Sequence, residues 1–265
     1  MNTLAPDTAT AAVADPLPEL RQRYDAHSKH SSYQLVHPSL MPWMGPPEGL
    51  PAGKQEPQRQ QVMAQLMSPR DRSVLDIGAN TGYFSFAALE AGARRVVAQE
   101  GNAEHAQFLA AAGQHLGAQA RFSVRPSYYD FGATHTEFFD ICLCLNVLHH
   151  LGDDFGDPAL SIEQARQQML DGLNRLARTT HTLFLQIGFN WKGQVAHPLF
   201  AGGEKSALID FVSRGTAGTW RIDDILVASG FGGAYEPLSG RNAPRDDRLG
   251  EFLNRPLFHM TSLVL

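Results

Sequence analysis

From Ser73 onward, apolar positions come in short blocks separated by glycine-marked turns, and the blocks alternate in kind. Ser73–Ile77, Arg95–Gln99, Arg121–Val124, Phe139–Leu145 and Thr182–Gly188 are strand-length runs rich in apolar and β-branched residues. Tyr83–Ala91, Ala103–Leu116 and Leu160–Ala177 have helical length, and Gly92 and Gly117 stand where the first two should stop. Phe139–Leu145 is apolar almost without interruption, which predicts a strand covered on both faces. The alternation predicts an α/β fold: a doubly wound, mostly parallel sheet with helices on both sides. Gln58–Met67 reads as a helix leading into this core, Arg221–Ala228 as a late helix closed by Gly230, and the Leu257–Leu265 tail as a run that finishes the sheet. Between the fifth strand and that late helix lies the connection Phe189–Thr219, long enough to suggest a functional insertion at 189–219.

The first sixty residues break this rhythm. Residues 1–18 are rich in Ala, Thr and Pro, which predicts a disordered lead-in. They lack the basic and apolar regions of a secretory leader, so a cytoplasmic protein is expected. Residues 19–60 mix prolines with Tyr24, His27, His30, Tyr33, His37 and Trp43, as a lid or cap would, and 61–265 form the main domain. The chain has 265 residues, of which 43% are hydrophobic, enough for one large domain. A net charge of -5 argues against a nucleic-acid partner, which a basic face would attract. No apolar run reaches the roughly 20 residues that span a bilayer, so no membrane partner is expected. The two cysteines, Cys142 and Cys144, fall on one face of a strand and are expected to be buried thiols. Nothing in the pattern specifies an oligomeric state.

Candidate chemistry gathers at the first strand's end, in Val74–Leu75–Asp76–Ile77–Gly78–Ala79–Asn80–Thr81–Gly82. A strand that runs into a glycine turn and opens a helix brings backbone N–H groups close to a ligand. The turn is Gly-x-x-x-Gly after an aspartate, neither the dinucleotide Gly-x-Gly-x-x-Gly nor a phosphate loop with its Lys-Ser/Thr. Glu100 closes the next strand, where a carboxylate can accept both hydroxyls of a ribose.

These residues resemble the class I S-adenosylmethionine-dependent methyltransferase family, from about Ser73 to Gly188, and in particular its small-molecule branch. The resemblance implies a seven-stranded Rossmann-like sheet and S-adenosylmethionine as cofactor. It implies that Asp76 helps hold the methionine amino group and that Gly78, Ala79, Asn80, Gly82, Tyr83 and Phe84 form the turn beneath the cofactor. Glu100, with Gly101 and Asn102 after it, takes the ribose, and Ser127 and Tyr128 meet the adenine, Ser127 standing where an acidic residue is common. Asn146, following the fourth strand, faces the methionine half, and Tyr33 of the lid is expected over the cofactor. The sequence Asn146–Val147–Leu148–His149 departs from the Asn/Asp-Pro-Pro-aromatic motif of enzymes that methylate DNA-base amino groups.

Methyl transfer needs alignment above all, and a base only where the acceptor is weakly acidic. His149 and His150, in the loop after the fourth strand, are the candidate catalytic bases. Tyr24 and Trp43 of the lid, with Gln186, Asn190 and Trp191 after the fifth strand, are the candidate substrate wall. Asp153, Asp154 and Asp157 read as a solvated acidic loop, and no metal is expected. The expected acceptor is a small molecule, an amino acid or a specialised metabolite. The alternatives are a tRNA-modifying relative and a module that binds the cofactor without chemistry.

Overall fold

The computed structural model describes residues 16–25, 29–31, 33–44 and 55–265. Residues 1–15 of the expected lead-in and His27 of the lid lie outside the described residues. The elements are α1 (Pro16–Asp25), α2 (Met41–Met44), α3 (Glu56–Leu66), β1 (Ser73–Ile77), α4 (Tyr83–Glu90), β2 (Arg95–Gln99), α5 (Ala103–His115), β3 (Phe122–Arg125), β4 (Phe139–Leu145), α6 (Ile162–Leu176), β5 (Thr180–Gln186), α7 (Lys205–Gly215), β6 (Trp220–Ala228), β7 (Tyr235–Pro237), α8 (Gly250–Leu253) and β8 (Leu257–Ser262). They build one sheet of eight strands in the order β3-β2-β1-β4-β5-β8-β6-β7. The five strands from β3 to β5 are parallel, and β8 enters antiparallel between β5 and β6.

Each face of the sheet carries its own apolar layer. Val74 and Ile141 point into one, with Leu20, Phe86 and Phe108 from the helices α1, α4 and α5. Leu75, Ile77 and Cys142 point into the other, with Met169 and Leu208 from α6 and α7. Alternate residues of one strand thus serve opposite layers, which is why the central strands read as continuously apolar. Cys142 and Cys144 are buried free thiols.

Three readings need correction. Trp220–Ala228 is a strand, where a helix was expected over Arg221–Ala228. A bulge between Ile222 and Asp224 shifts its register. Ile222 and Ile225 therefore face the same apolar layer although three residues apart, a spacing that imitates a helix. The sheet has eight strands, not seven, because the three-residue edge strand β7 pairs with β6. The segment 189–219 is not loop throughout, since residues 205–215 form α7, whose Leu208 and Val212 are fully buried.

The N-terminal segment is more integrated than a lid. The helix α1 already begins at Pro16, inside the expected lead-in. Its Leu20 and Tyr24 join the core with Val36, Leu40 and Met44.

Candidate active site

The first crossover of the sheet falls between β1 and β4, where the chain leaves the β1-β2-β3 half, and an open α/β sheet forms its crevice there. A cavity partly open to solvent lies at this point and is lined by Asp76, Gly78, Glu100, Tyr128, Asn146 and Arg59 among others.

Its floor is the β1 turn. Gly78 has φ +71, and a Cβ there would meet Val147 Cγ2 at 2.5 Å, so only glycine lets the turn lie against the β4 loop. The Gly78 and Ala79 N–H groups both donate to the Gln99 carbonyl, at 2.8 and 3.4 Å, tying the turn to β2. Gly82 is the N-cap of α4 and has no side chain to offer, and Gln34 Oε1 accepts the Tyr83 N–H in its place at 3.0 Å. Phe84 lines the cavity, whereas Ala79, Gly82 and Tyr83 support it from behind.

Glu100 sits at the end of β2. Its Oε2 accepts the Asn80 N–H at 2.7 Å and its Oε1 the Asn102 N–H at 2.8 Å. Two oxygens offer about four lone-pair sites, so each keeps capacity for a hydroxyl. Burial pushes this carboxyl above its ordinary range, while the two N–H groups pull it back. Asn102 also caps α5, its Oδ1 accepting the Glu104 and His105 N–H groups at 3.0 and 3.3 Å. Beside it Gly101 carries the Tyr128 ring, whose Cδ1 would lie 2.1 Å from any Cβ. Tyr128 in turn stacks towards Phe155, with ring centroids 6.3 Å apart. Ser127 does not line the cavity: its carbonyl and Oγ accept the Gln99 amide at 2.7 and 2.9 Å, so it fixes the loop that presents Tyr128.

Asp76 is 3% exposed and accepts the Ser85 hydroxyl at 2.7 Å. Burial, with a smaller push from Glu100, raises its carboxyl to about 7.

The segment Lys29–Ser31 crosses the cavity mouth as a strap. Asn102 Nδ2 donates to the Lys29 carbonyl and Asn80 Nδ2 to the His30 carbonyl, both at 3.3 Å. On the other side Lys29 Nζ meets Asp153 at 2.6 Å and Asp154 at 2.5 Å. His30, His150 and Asp154 each place one metal-ligating atom within 4.8 Å of the others. The Asp154 carboxylate is already bridged by Lys29 and by His30 Nε2 at 3.1 Å.

The two candidate bases divide. His150 lines the cavity, and burial lowers its imidazole to about 4, so it is neutral at physiological pH. His149 does not line it. His149 is 2% exposed, burial drives its pKa well down, and its Nδ1 accepts the Gly188 N–H at 3.2 Å. That bond makes Nδ1 an acceptor and uses its lone pair, so His149 braces the β5 loop.

The candidate substrate residues also separate. Tyr24 packs on Phe108 of α5, with centroids 5.7 Å apart, and Trp43 stacks on His115 at 6.1 Å; neither lines the cavity. Asn190 donates to Glu251 Oε2 at 3.0 Å, and the Trp191 indole donates to the Leu151 carbonyl at 2.6 Å, outside the cavity wall. Gln186 is buried one layer behind the wall, where it joins a network. Its Oε1 accepts Asn146 Nδ2 at 3.0 Å and Arg59 Nη1 at 3.2 Å, and its Nε2 donates to the Arg255 carbonyl at 3.0 Å. Asn146, at φ 64, completes the circuit by accepting Arg255 Nη1 at 2.9 Å. Tyr33 lines the cavity beside Arg59, and burial raises its phenol. Arg59 and Arg255 were not among the sequence candidates: Arg59 sits among glutamines in the helix that leads into the core, and Arg255 follows the unforeseen α8.

No protein-family model matches this sequence, and no curated protein does either. Solved structures share its fold. The structure of WbdD is 18% identical with a TM-score of 0.60, over 92% of this chain and 46% of that one. A second, of the bifunctional kinase-methyltransferase WbdD, is 17% identical with a TM-score of 0.56, over 93% and 46%. This chain therefore spans less than half the length of each WbdD chain. A third, a candidate RNA methyltransferase from Pyrococcus horikoshii, is 14% identical with a TM-score of 0.46, over 77% and 81%. The WbdD likeness shows an α/β fold held in common with a methyltransferase.

Proposed function

We propose that the chain binds S-adenosylmethionine in this cavity and transfers its methyl group to a small-molecule acceptor. The observation that carries the reading is Glu100, a buried carboxylate at the end of β2 whose Oε2 faces the glycine turn of β1 and whose Oε1 faces the N-cap of α5. The residues present suit the cofactor's ribose, purine and ammonium groups. Glu100 has free lone pairs for the ribose diol, Tyr128 and Phe155 offer flat apolar faces for a purine, and Asp76 is a buried acid placed for an ammonium group. When bound, the cofactor supplies an electrophilic methyl group on a sulfonium.

The chain's own residues then orient and shield. Asp76 ionises as it meets an ammonium, because a cation offsets the desolvation that holds its carboxyl near 7. Asn146 is held rigid by Gln186 and Arg255, so the β4 end cannot drift from the reacting atoms. The strap of Lys29 and His30 keeps water from the mouth while its bonds to Asn80, Asn102 and Asp154 hold. Of the two candidate bases, His150 is the one on the cavity wall and so the one placed to accept a proton. As a base of pKa about 4 it suits an acceptor that loses its proton readily. The net charge of -5 supports a small-molecule acceptor over RNA. Incubating the protein with metabolite extracts and methyl-labelled cofactor tests the reading. A labelled small molecule is the expected product, and label found only in added tRNA would overturn it.

A further inference from the structure

At the β5 side of the cavity a buried guanidinium has more donors than partners. Arg59 of α3 is 1% exposed and lines the cavity. It lies between the rings of Phe84 and Phe252, 4.9 and 5.1 Å from their centroids. Its Nη1 donates to Gln186 at 3.2 Å. Its Nη2 stops 3.6 Å from Glu56 Oε1, too far for a hydrogen bond, and its Nε has no partner among the described residues. A guanidinium has five N–H donors, and a buried charge so poorly satisfied is costly unless something else completes it. The neighbouring Arg255 differs, with Nη1 on Asn146 at 2.9 Å and Nη2 on Glu251 at 2.7 Å, although its Nε too is unpartnered.

We propose that Arg59 anchors an oxyanion, a carboxylate or phosphate group, carried by the methyl acceptor. The planar fork of Nε and Nη2 matches two oxygens of such a group in parallel hydrogen bonds. Arg59 stands beside Phe84 and Tyr33 in the same cavity, and the strand end that it reaches assigns its anion to the acceptor. Asp76, Gly78 and Glu100 mark the cofactor's place at the ends of β1 and β2, whereas Arg59 reaches across to Gln186 at the end of β5, on the far side of β4. The Phe84 and Phe252 rings hold the guanidinium flat and keep it dry, so an arriving anion meets a preoriented partner. Glu56, which is fully buried, balances the charge when the subsite is empty without satisfying its donors.

The inference rests on the cofactor reading above, and the experiment separates the two. S-adenosylhomocysteine is titrated first by calorimetry, and no binding there refutes the cofactor reading alone. Inorganic phosphate and acetate are then titrated separately, with S-adenosylhomocysteine saturating if it binds and without it if not. The wild type is compared with Arg59→Gln and Arg59→Lys after each variant shows a cooperative melt. Arg59→Lys keeps the charge and removes the fork, so it carries the comparison if Arg59→Gln does not fold. We expect saturable millimolar binding of one of the two anions, the preference naming the acid group. Either variant should weaken it tenfold or more and change affinity for S-adenosylhomocysteine less than threefold. Absence of saturable anion binding in the wild type overturns the proposal. So does a tenfold loss of S-adenosylhomocysteine affinity with methylthioadenosine, which lacks the amino-acid end, unaffected, because Arg59 would then read the cofactor's carboxylate.

Discussion

The two ends of the cavity are built on different plans. At the Glu100 end a short stretch of chain does the work: the β1 turn, the end of β2 and the cap of α5 meet through backbone N–H groups, as in the bonds from Asn80 and Asn102 to one carboxylate. At the Arg59 end, side chains from elements far apart in sequence meet one another. Arg59, Asn146, Gln186, Glu251 and Arg255 come from α3, the ends of β4 and β5, and the turn around α8. A backbone-built site is fixed by the fold and suits a ligand common to many proteins. A side-chain network can be rebuilt by single substitutions and suits a ligand particular to one.

The comparison breaks most sharply at Glu100. Glu100→Ala should weaken S-adenosylhomocysteine binding by roughly 1.5–3 kcal/mol, the range for hydrogen bonds to a charged group. Calorimetry reads this directly, and unchanged affinity would remove Glu100 from the ligand.

Asp76 tests the same end through pH. Its carboxyl titrates at about 7 when folded and near 3.8 when exposed. Between those values the unfolded chain has lost a proton that the native chain keeps, so this group's contribution to stability falls as pH rises and is gone above about 7. Asp76→Asn should therefore melt later than the wild type at pH 8, by on the order of 2–4 kcal/mol at most, and match it at pH 4. Ligand affinity runs the opposite way. An ammonium needs the ionised carboxylate, so wild-type affinity for S-adenosylhomocysteine should fall about tenfold from pH 8 to pH 6, and Asp76→Asn should flatten that slope.

How legible each end was follows from its construction. Asp76, Gly78 and Glu100 lie within one β-α-β unit, where their spacing along the chain is their arrangement in space, and the sequence places all three on the cavity wall. Arg59 and Arg255 leave no such trace. An arginine in a polar helix reads as surface, and only the packing of α3 against α4 and α8 reveals that it is 1% exposed. Tyr24 and Trp43 fail for the converse reason: aromatic character signals burial but not against what, and here it is α5. The bulge in β6 shows how one extra residue turns period two into an apparent helix.

The histidine pair separates bracing from chemistry on a smaller scale. His149→Ala opens a hole behind Gly188 and leaves its N–H unpaired, which should cost about 1–3 kcal/mol of stability by denaturant titration. His150→Ala should leave the denaturation midpoint nearly unchanged and act on turnover instead. Smallest of all is Lys29→Ala. Half exposed, it should cost under about 1 kcal/mol of stability, yet speed ligand release by loosening the strap, visible in stopped-flow dissociation.

The most direct measurement is a pair of titrations on the wild-type chain, S-adenosylhomocysteine and NAD, each followed by calorimetry. The β1 turn and Glu100 predict one saturable site for S-adenosylhomocysteine and no heat from NAD. Heat from NAD with none from S-adenosylhomocysteine would contradict the account at its centre.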